Sequence, residues 1–93
     1  MEDLINALKA DNKKIIDVRT PEEFMGGHVA GSINIPLHEI PNRVDEFKNT
    51  TTKIVLCCAS GNRSGQATQF LSDLEIDCIN GGPWTQVNYL LNN

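Results

Sequence analysis

Basic residues are few and scattered in this chain. Eight Lys and Arg stand against twelve Asp and Glu in 93 residues, and only Lys13-Lys14 are adjacent. A net charge of −4 with no basic patch argues against nucleic acid as a partner. An anionic ligand would have to be held by local dipoles and one or two arginines. Long apolar runs are missing as well. No stretch approaches the ~20 residues of a membrane span, and acidic Met1-Glu2-Asp3-Leu4 does not read as a signal peptide. Cysteine is sparse: three residues, no CxxC pair and no cysteine–histidine cluster at zinc spacing. These absences lead us to expect a reducing, cytoplasmic setting, with no disulfide framework, no metal, no other cofactor and no membrane partner. Repeats, linkers and low-complexity segments are also lacking. The expectation is one domain over 1–93, with enough apolar residues (40%) for a modest core.

What is present alternates between two periodicities. Glu2 to Ala10 reads as a helix, with Leu4, Ile5 and Leu8 on one face and Glu2-Asp3 at the positive end of its dipole. Lys14 to Val18 reads as a strand. Thr20-Pro21-Glu22-Glu23 is a helix start: a capping Thr, Pro at the first helical position and Glu three residues after the cap. Gly26-Gly27 end that helix, Val29-Ala30-Gly31 turns the chain, and Ser32 to Ile35 is a second short strand. Ile40, Val44 and Phe47 predict a helix over 41–47, followed by a loop at Asn49-Thr50-Thr51-Thr52. Lys53 to Cys57 is apolar without alternation, as in a parallel strand buried on both faces. Ala67, Phe70, Leu71 and Leu74 give the next helix its core stripe. Glu75 to Asn80 reads as a strand with Cys78 in the core, Gly81-Gly82 as a turn, and Pro83 as the opening of a last helix packed through Trp84, Val87 and Leu91. Alternating strands and helices predict an α/β fold with a mainly parallel sheet.

Leu56-Cys57-Cys58-Ala59-Ser60-Gly61-Asn62-Arg63-Ser64 joins an apolar strand to a helix start. That geometry aims backbone N–H groups and the positive end of a helix dipole at one spot. A cysteine there is in a field that favours the thiolate, the nucleophilic form. The competing reading is a buried strand ending in two inert cysteines. Ligands on parallel sheets bind beyond the carboxyl ends of the strands. This puts Asp17-Val18-Arg19 and Gly81-Gly82 at the same edge as the Cys58 loop, which favours the functional reading.

Asp17-Val18-Arg19, Glu23-Phe24, Gly27-His28-Val29-Ala30-Gly31-Ser32 and Asn34-Ile35-Pro36 together resemble the signature of rhodanese-type sulfurtransferase domains. Cys58-Ala59-Ser60-Gly61-Asn62-Arg63-Ser64 resembles the active-site loop of single-domain members, and Gly81-Gly82 with Trp84 resembles the family's ending. The resemblance spans roughly residues 2–90. It implies a small three-layer domain, with a four- to five-stranded sheet flanked by helices. The position after the cysteine, often basic in members that use thiosulfate, is Ala59 here, which counts against thiosulfate as the physiological donor.

The resemblance also implies a double displacement, with Cys58 as nucleophile and sulfur carrier. Lowering its pKa by two units needs about 2.7 kcal/mol of preference for the anion. N–H groups from Ala59 to Ser64, the helix N-terminus and Arg63 are the expected sources. Gly61 lets the loop curl and Asn62 is expected to brace it. Ser60 and Ser64 can donate to sulfur, with a capping role favoured for Ser64. Arg63 is read as a loop clamp or anion ligand. Asp17 and Arg19 are supporting residues, with an Arg19–Glu23 ion pair across the helix start. His28 is scaffold and His38 is solvated. Partners are a small anionic sulfur donor and, as an option, a protein that donates or accepts sulfur.

The cysteine pair offers two registers. Five residues separate Cys57 from Arg63, the spacing of cysteine phosphatases and arsenate-reductase-like enzymes. Four separate Cys58 from Arg63, the rhodanese spacing. Leu56 stands where the phosphatase pattern has His, which favours Cys58 and leaves Cys57 facing the core as the last strand residue.

Overall fold

The structure, a computed structural model, describes residues 1–48 and 51–92. Its order is α1 (Glu2–Lys9), β1 (Lys13–Asp17), α2 (Pro21–Met25), β2 (Ile33–Asn34), two 3₁₀ turns (Leu37–Asn42 and Val44–Phe47), β3 (Lys53–Cys58), α3 (Asn62–Asp73), β4 (Ile79–Pro83) and α4 (Trp84–Leu91). Of the loop expected at Asn49-Thr50-Thr51-Thr52, Asn49 and Thr50 lie outside the described residues.

The four strands form one sheet in the order β2-β1-β3-β4, every pair parallel. Helices cover both faces, as the strand pattern predicts. Leu4, Ala7 and Leu8 of α1 and Val87 of α4 pack with Ile15, Val55 and Cys57 on one face. Ala67 and Leu71 of α3 and Ile40 and Phe47 of the 3₁₀ turns pack with Ile16, Ile54, Leu56 and Cys58 on the other. Successive strand residues point to opposite faces. Within β3, Ile54, Leu56 and Cys58 therefore serve one core, and Val55 and Cys57 the other.

Four expectations need correction. The segment 41–47 is not an α-helix. The helical turn starts at Leu37, so Pro41 lies inside it and not at a helix start; there an α-helix would need the N–H that Pro lacks, and the ring would clash with the carbonyl of Leu37, four residues back. The pairs Leu37/Ile40 and Val44/Phe47 repeat every three residues, which suits 3.0 residues per turn, and Arg43 (φ −127°) separates the two turns. Strand β4 starts later than Glu75. Glu75 has φ 63° and reverses the chain after α3, so pairing with β3 begins only at Ile79 opposite Val55. Cys78 consequently lies half-buried before the strand rather than within it. Gly81 and Gly82 are strand residues at a register shift, not a turn. A Cβ at Gly81 would fall 2.8 Å from side-chain carbons of both Val55 and Val87, so glycine is required by the close approach of sheet and α4. Finally, Phe70 and Leu74 are exposed, leaving Ala67 and Leu71 as the buried stripe of α3.

Candidate functional site

The carboxyl end of β3 separates the two cysteines by the strand's own alternation. Strand pairing runs through Cys58, one residue further than expected. Cys57 is wholly buried on the α1/α4 side. Cys58 points to the α3 side, beneath the turn that starts that helix.

Gly61 makes this turn possible. It is the N-cap of α3 with φ 97°, a conformation costly for residues with a Cβ, and a Cβ there would lie 3.1 Å from Gly82 Cα. The curl aims two N–H donors at one sulfur and sets a hydroxyl beside it. Gly61 N–H donates to Cys58 Sγ at 3.0 Å and Ser64 N–H at 3.3 Å, and the Ser64 hydroxyl lies 3.3 Å from the same atom. Burial pushes the Cys58 thiol up. The Ser64 hydroxyl, then the N–H groups of Ser64, Gly61 and Ser60, more than offset that, and the net shift is downward. Cys57 lacks such donors. Burial, with Asp17 nearby, pushes its thiol up to about 12.

Ser64 is thus not the helix cap. It sits in the first turn of α3, fully buried, with its hydroxyl between Cys58 and the side chain of Asn80, 2.7 Å away. The bracing expected of Asn62 falls to Asn80 of β4, whose Nδ2 donates to Gly61 O at 3.1 Å. Sequence reasoning misses Asn80, since only strand pairing places it over a loop that ends sixteen residues earlier. Ala59, Ser60 and Asn62 are exposed around the sulfur.

Arg63 does not stand free at the site. Its guanidinium donates through Nη1 and Nη2 to Glu23 Oε1 and Oε2, at 2.7 and 3.0 Å. Glu23 simultaneously completes the capping box expected at Thr20: Thr20 Oγ1 accepts from Glu23 N–H at 3.2 Å, and Glu23 Oε1 accepts from Thr20 N–H at 3.0 Å. The hydrogen bonds from Arg63 first, and from Thr20, hold Glu23 down at about 2. One carboxylate therefore ties the start of α2 to the start of α3, forty residues apart.

The expected Arg19–Glu23 pair is replaced by Arg19–Asp17. Arg19 Nη2 donates to Asp17 Oδ2 at 2.8 Å and to Gly27 O at 2.6 Å, and the guanidinium carbon lies 4.9 Å from the centre of the Trp84 ring. Asp17 is paired in register with Cys57, so it shares that face of the sheet. Asp17 and Arg19 end up at the expected edge, but on the side away from Cys58. Trp84 is more than packing for the last helix, because it also covers this buried ion pair. Asn34 donates to the carbonyls of Asp17 and Arg19, both at 3.0 Å, fixing the turn after β1. His28 stacks on Phe24 with centroids 3.7 Å apart and its Nδ1 lies 2.7 Å from the Phe24 carbonyl oxygen, and His38 is exposed.

Among the described residues, no group of three or more His, Cys, Asp or Glu could hold a metal ion, and no helix is long and apolar enough to cross a membrane. The arrangement is suited to holding a sulfur anion against backbone donors at a helix start.

Comparison with known proteins identifies the family of the chain. The sequence model of the rhodanese-like domain matches residues 1–89. Over 62 residues the chain is 45% identical to thiosulfate sulfurtransferase PspE of Escherichia coli (strain K12), a match covering 63% of this chain and 58% of that protein. It is 37% identical over 59 residues to the putative sulfur carrier protein YrkF of Bacillus subtilis (strain 168), covering 63% of this chain and 31% of that one. The chain thus spans roughly a third to three fifths of these relatives. Among solved structures, a rhodanese-like domain protein from Staphylococcus aureus superposes with a TM-score of 0.77 at 30% identity, covering 94% of this chain and 85% of that one.

Proposed function

Since the chain belongs to the rhodanese-like domain family, we propose that it is a sulfurtransferase that carries sulfane sulfur as a persulfide on Cys58. The observation that carries this reading is the convergence of Gly61 N–H, Ser64 N–H and the Ser64 hydroxyl on one sulfur atom. Those donors favour the thiolate and then stabilise the anion of the persulfide.

In the proposed reaction the Cys58 thiolate attacks the outer sulfur of a donor. With thiosulfate, a new S–S bond forms, the old one breaks, and sulfite leaves with the electron pair. The acceptor, cyanide or a thiol, then attacks the outer sulfur of the persulfide and the Cys58 thiolate departs. The Cys57 register of a phosphatase or arsenate-reductase-like enzyme is disfavoured, because that thiol is wholly buried on the opposite face and held near 12.

A second reading concerns the donor. Ala59 adds no charge beside the sulfur and Arg63 is engaged by Glu23, so little cationic pull remains for a dianion. This favours a relay in which another protein's cysteine persulfide supplies the sulfur, or another protein's cysteine thiol accepts it, with thiosulfate as an incidental donor. The relative named as a putative sulfur carrier is in keeping with it.

Intact-mass measurement after incubation with thiosulfate, and separately with a small alkyl persulfide, tests the assignment. One sulfur atom should be gained by the native protein and by Cys57→Ser, and none by Cys58→Ser. Sulfur gained from the alkyl persulfide far faster than from thiosulfate favours the relay. No uptake from either donor, together with hydrolysis of an aryl phosphate, overturns the sulfurtransferase reading.

A further inference from the structure

We propose that Asn80 is a positioning residue for Cys58, acting through the Ser64 hydroxyl. It keeps the hydroxyl proton turned away from sulfur while the thiol is protonated, and releases it when the thiolate forms. Asn80 lies on β4, outside the cysteine loop.

Its amide is oriented by its own bonds. Nδ2 donates to Gly61 O at 3.1 Å, which leaves Oδ1 to accept from Gly82 N–H at 3.0 Å and from Ser64 Oγ at 2.7 Å. An amide oxygen can only accept, and a serine hydroxyl has one proton. That proton therefore goes to Asn80, and Ser64 Oγ turns a lone pair to Cys58 Sγ, 3.3 Å away. A protonated thiol completes the chain: Sγ–H donates to Ser64 Oγ, and Oγ–H donates to Asn80 Oδ1.

A thiolate has no proton to give. Once the thiol proton has left to water, sulfur would face a lone pair unless the hydroxyl rotates and gives up its short bond to Asn80. Asn80 thus competes with the thiolate for one donor. The thiolate is held less tightly than a free serine would hold it, and a less stabilised thiolate is the better nucleophile. Glycine at position 65 leaves room for this: a Cβ there would lie 3.3 Å from Asn80 Nδ2.

Few other charges bear on the sulfur. Arg63 of α3 is paired with Glu23 of α2, and Asp17 and Arg19 pair with each other on the opposite face. Glu39 and Glu46 of the 3₁₀ turns both pair with Arg43, which lies between the turns. The thiol of Cys57 is the other titratable neighbour, and β4 and α4 contain no Asp, Glu, Lys, Arg or His.

The relevance of Asn80 to sulfur transfer rests on the role proposed for Cys58, but the test does not. The rate of iodoacetamide alkylation at Cys58, read residue by residue in fragmented peptides, is followed against pH. In Asn80→Ala the midpoint should fall by about half a unit, the size of one hydrogen bond. Ser64→Ala should raise it, and Asn80→Ala added to Ser64→Ala should shift nothing further. A rise or no change in Asn80→Ala, or a fall that persists without the serine hydroxyl, overturns the proposal. If Asn80→Ala does not fold, Asn80→Asp keeps the shape and strengthens the acceptor. Its midpoint should rise, and the rise should shrink in the Ser64→Ala background; an equal rise in both overturns the proposal. If these titrations behave as expected while Cys58 takes up no sulfur, the sulfurtransferase reading falls and Asn80 keeps its role.

Discussion

Cys57 and Cys58 are neighbours in sequence and live in different chemistries. They share a strand, a flanking peptide and nearly complete burial, with relative exposures of 0% and 1%. Burial alone would raise both thiols. The difference is where strand alternation sends each side chain. Cys57 meets the apolar α1/α4 layer, whereas Cys58 meets the unpaired N–H groups at the start of α3. Reactivity here follows from donors and not from exposure. The same division sorts the charged residues. Asp17 and Arg19 form a closed pair on the Cys57 face, and Glu23 and Arg63 brace the loop on the Cys58 face.

The largest expected effect tests this division directly. A thiol at about 12 is ionised to roughly one part in 10⁵ at neutral pH, whereas the donors around Cys58 hold its thiol below the ordinary value. Iodoacetamide on the native protein should therefore label Cys58 on the order of 10³ times faster than Cys57, as read from fragmented peptides. Comparable labelling of both would end the distinction. Next in size is Asp17→Asn, which leaves the Arg19 cation buried without its counter-charge. Breaking a buried pair in this way should cost about 3 kcal/mol in chemical denaturation. Because the pair lies on the far face, the alkylation rate of the remaining folded protein at Cys58 should stay within about twofold of the native rate, far inside the tenfold that 1.36 kcal/mol represents. A large drop in that rate would show that the two faces are coupled.

The layout is readable in the sequence wherever one local rule acts alone. The Thr20 capping box, the parallel buried strand ending at the cysteines, and the helices on both faces follow from patterns of a few residues. So does the loop itself, from Cys58 through Ser64. Several of the misses share a cause: a partner distant along the chain decides them. Glu23 reads as a mate for Arg19, four residues away, but it bonds Arg63 across forty. Asn80 carries no local signal at all. Gly81-Gly82 reads as a turn until Val55 and Val87 are seen to press on it from two sides. The segment 41–47 differs, since its apolar spacing fits two periods and Pro41 decides between them.

The smallest expected effect concerns the brace on the Cys58 face. Arg63 first, and Thr20 second, hold the Glu23 carboxyl down at about 2. A carboxyl depressed in the folded state contributes stability above its ordinary range, and the contribution is lost as pH falls toward that lowered value. The native pair should therefore survive mild acid and dissolve only near pH 2. The pair is open to solvent, with side-chain exposures of 34% and 37%, so its share of stability is small and the titration is the sensitive readout. In Arg63→Ala, the side-chain carboxyl carbon of Glu23, followed by NMR, should titrate part of the way back toward the ordinary carboxylate range. The return is incomplete because Thr20 N–H still donates to the carboxylate. A Glu23 titration unmoved by loss of Arg63 would mean that the capping box alone sets it, and that the two helix starts are not joined in solution.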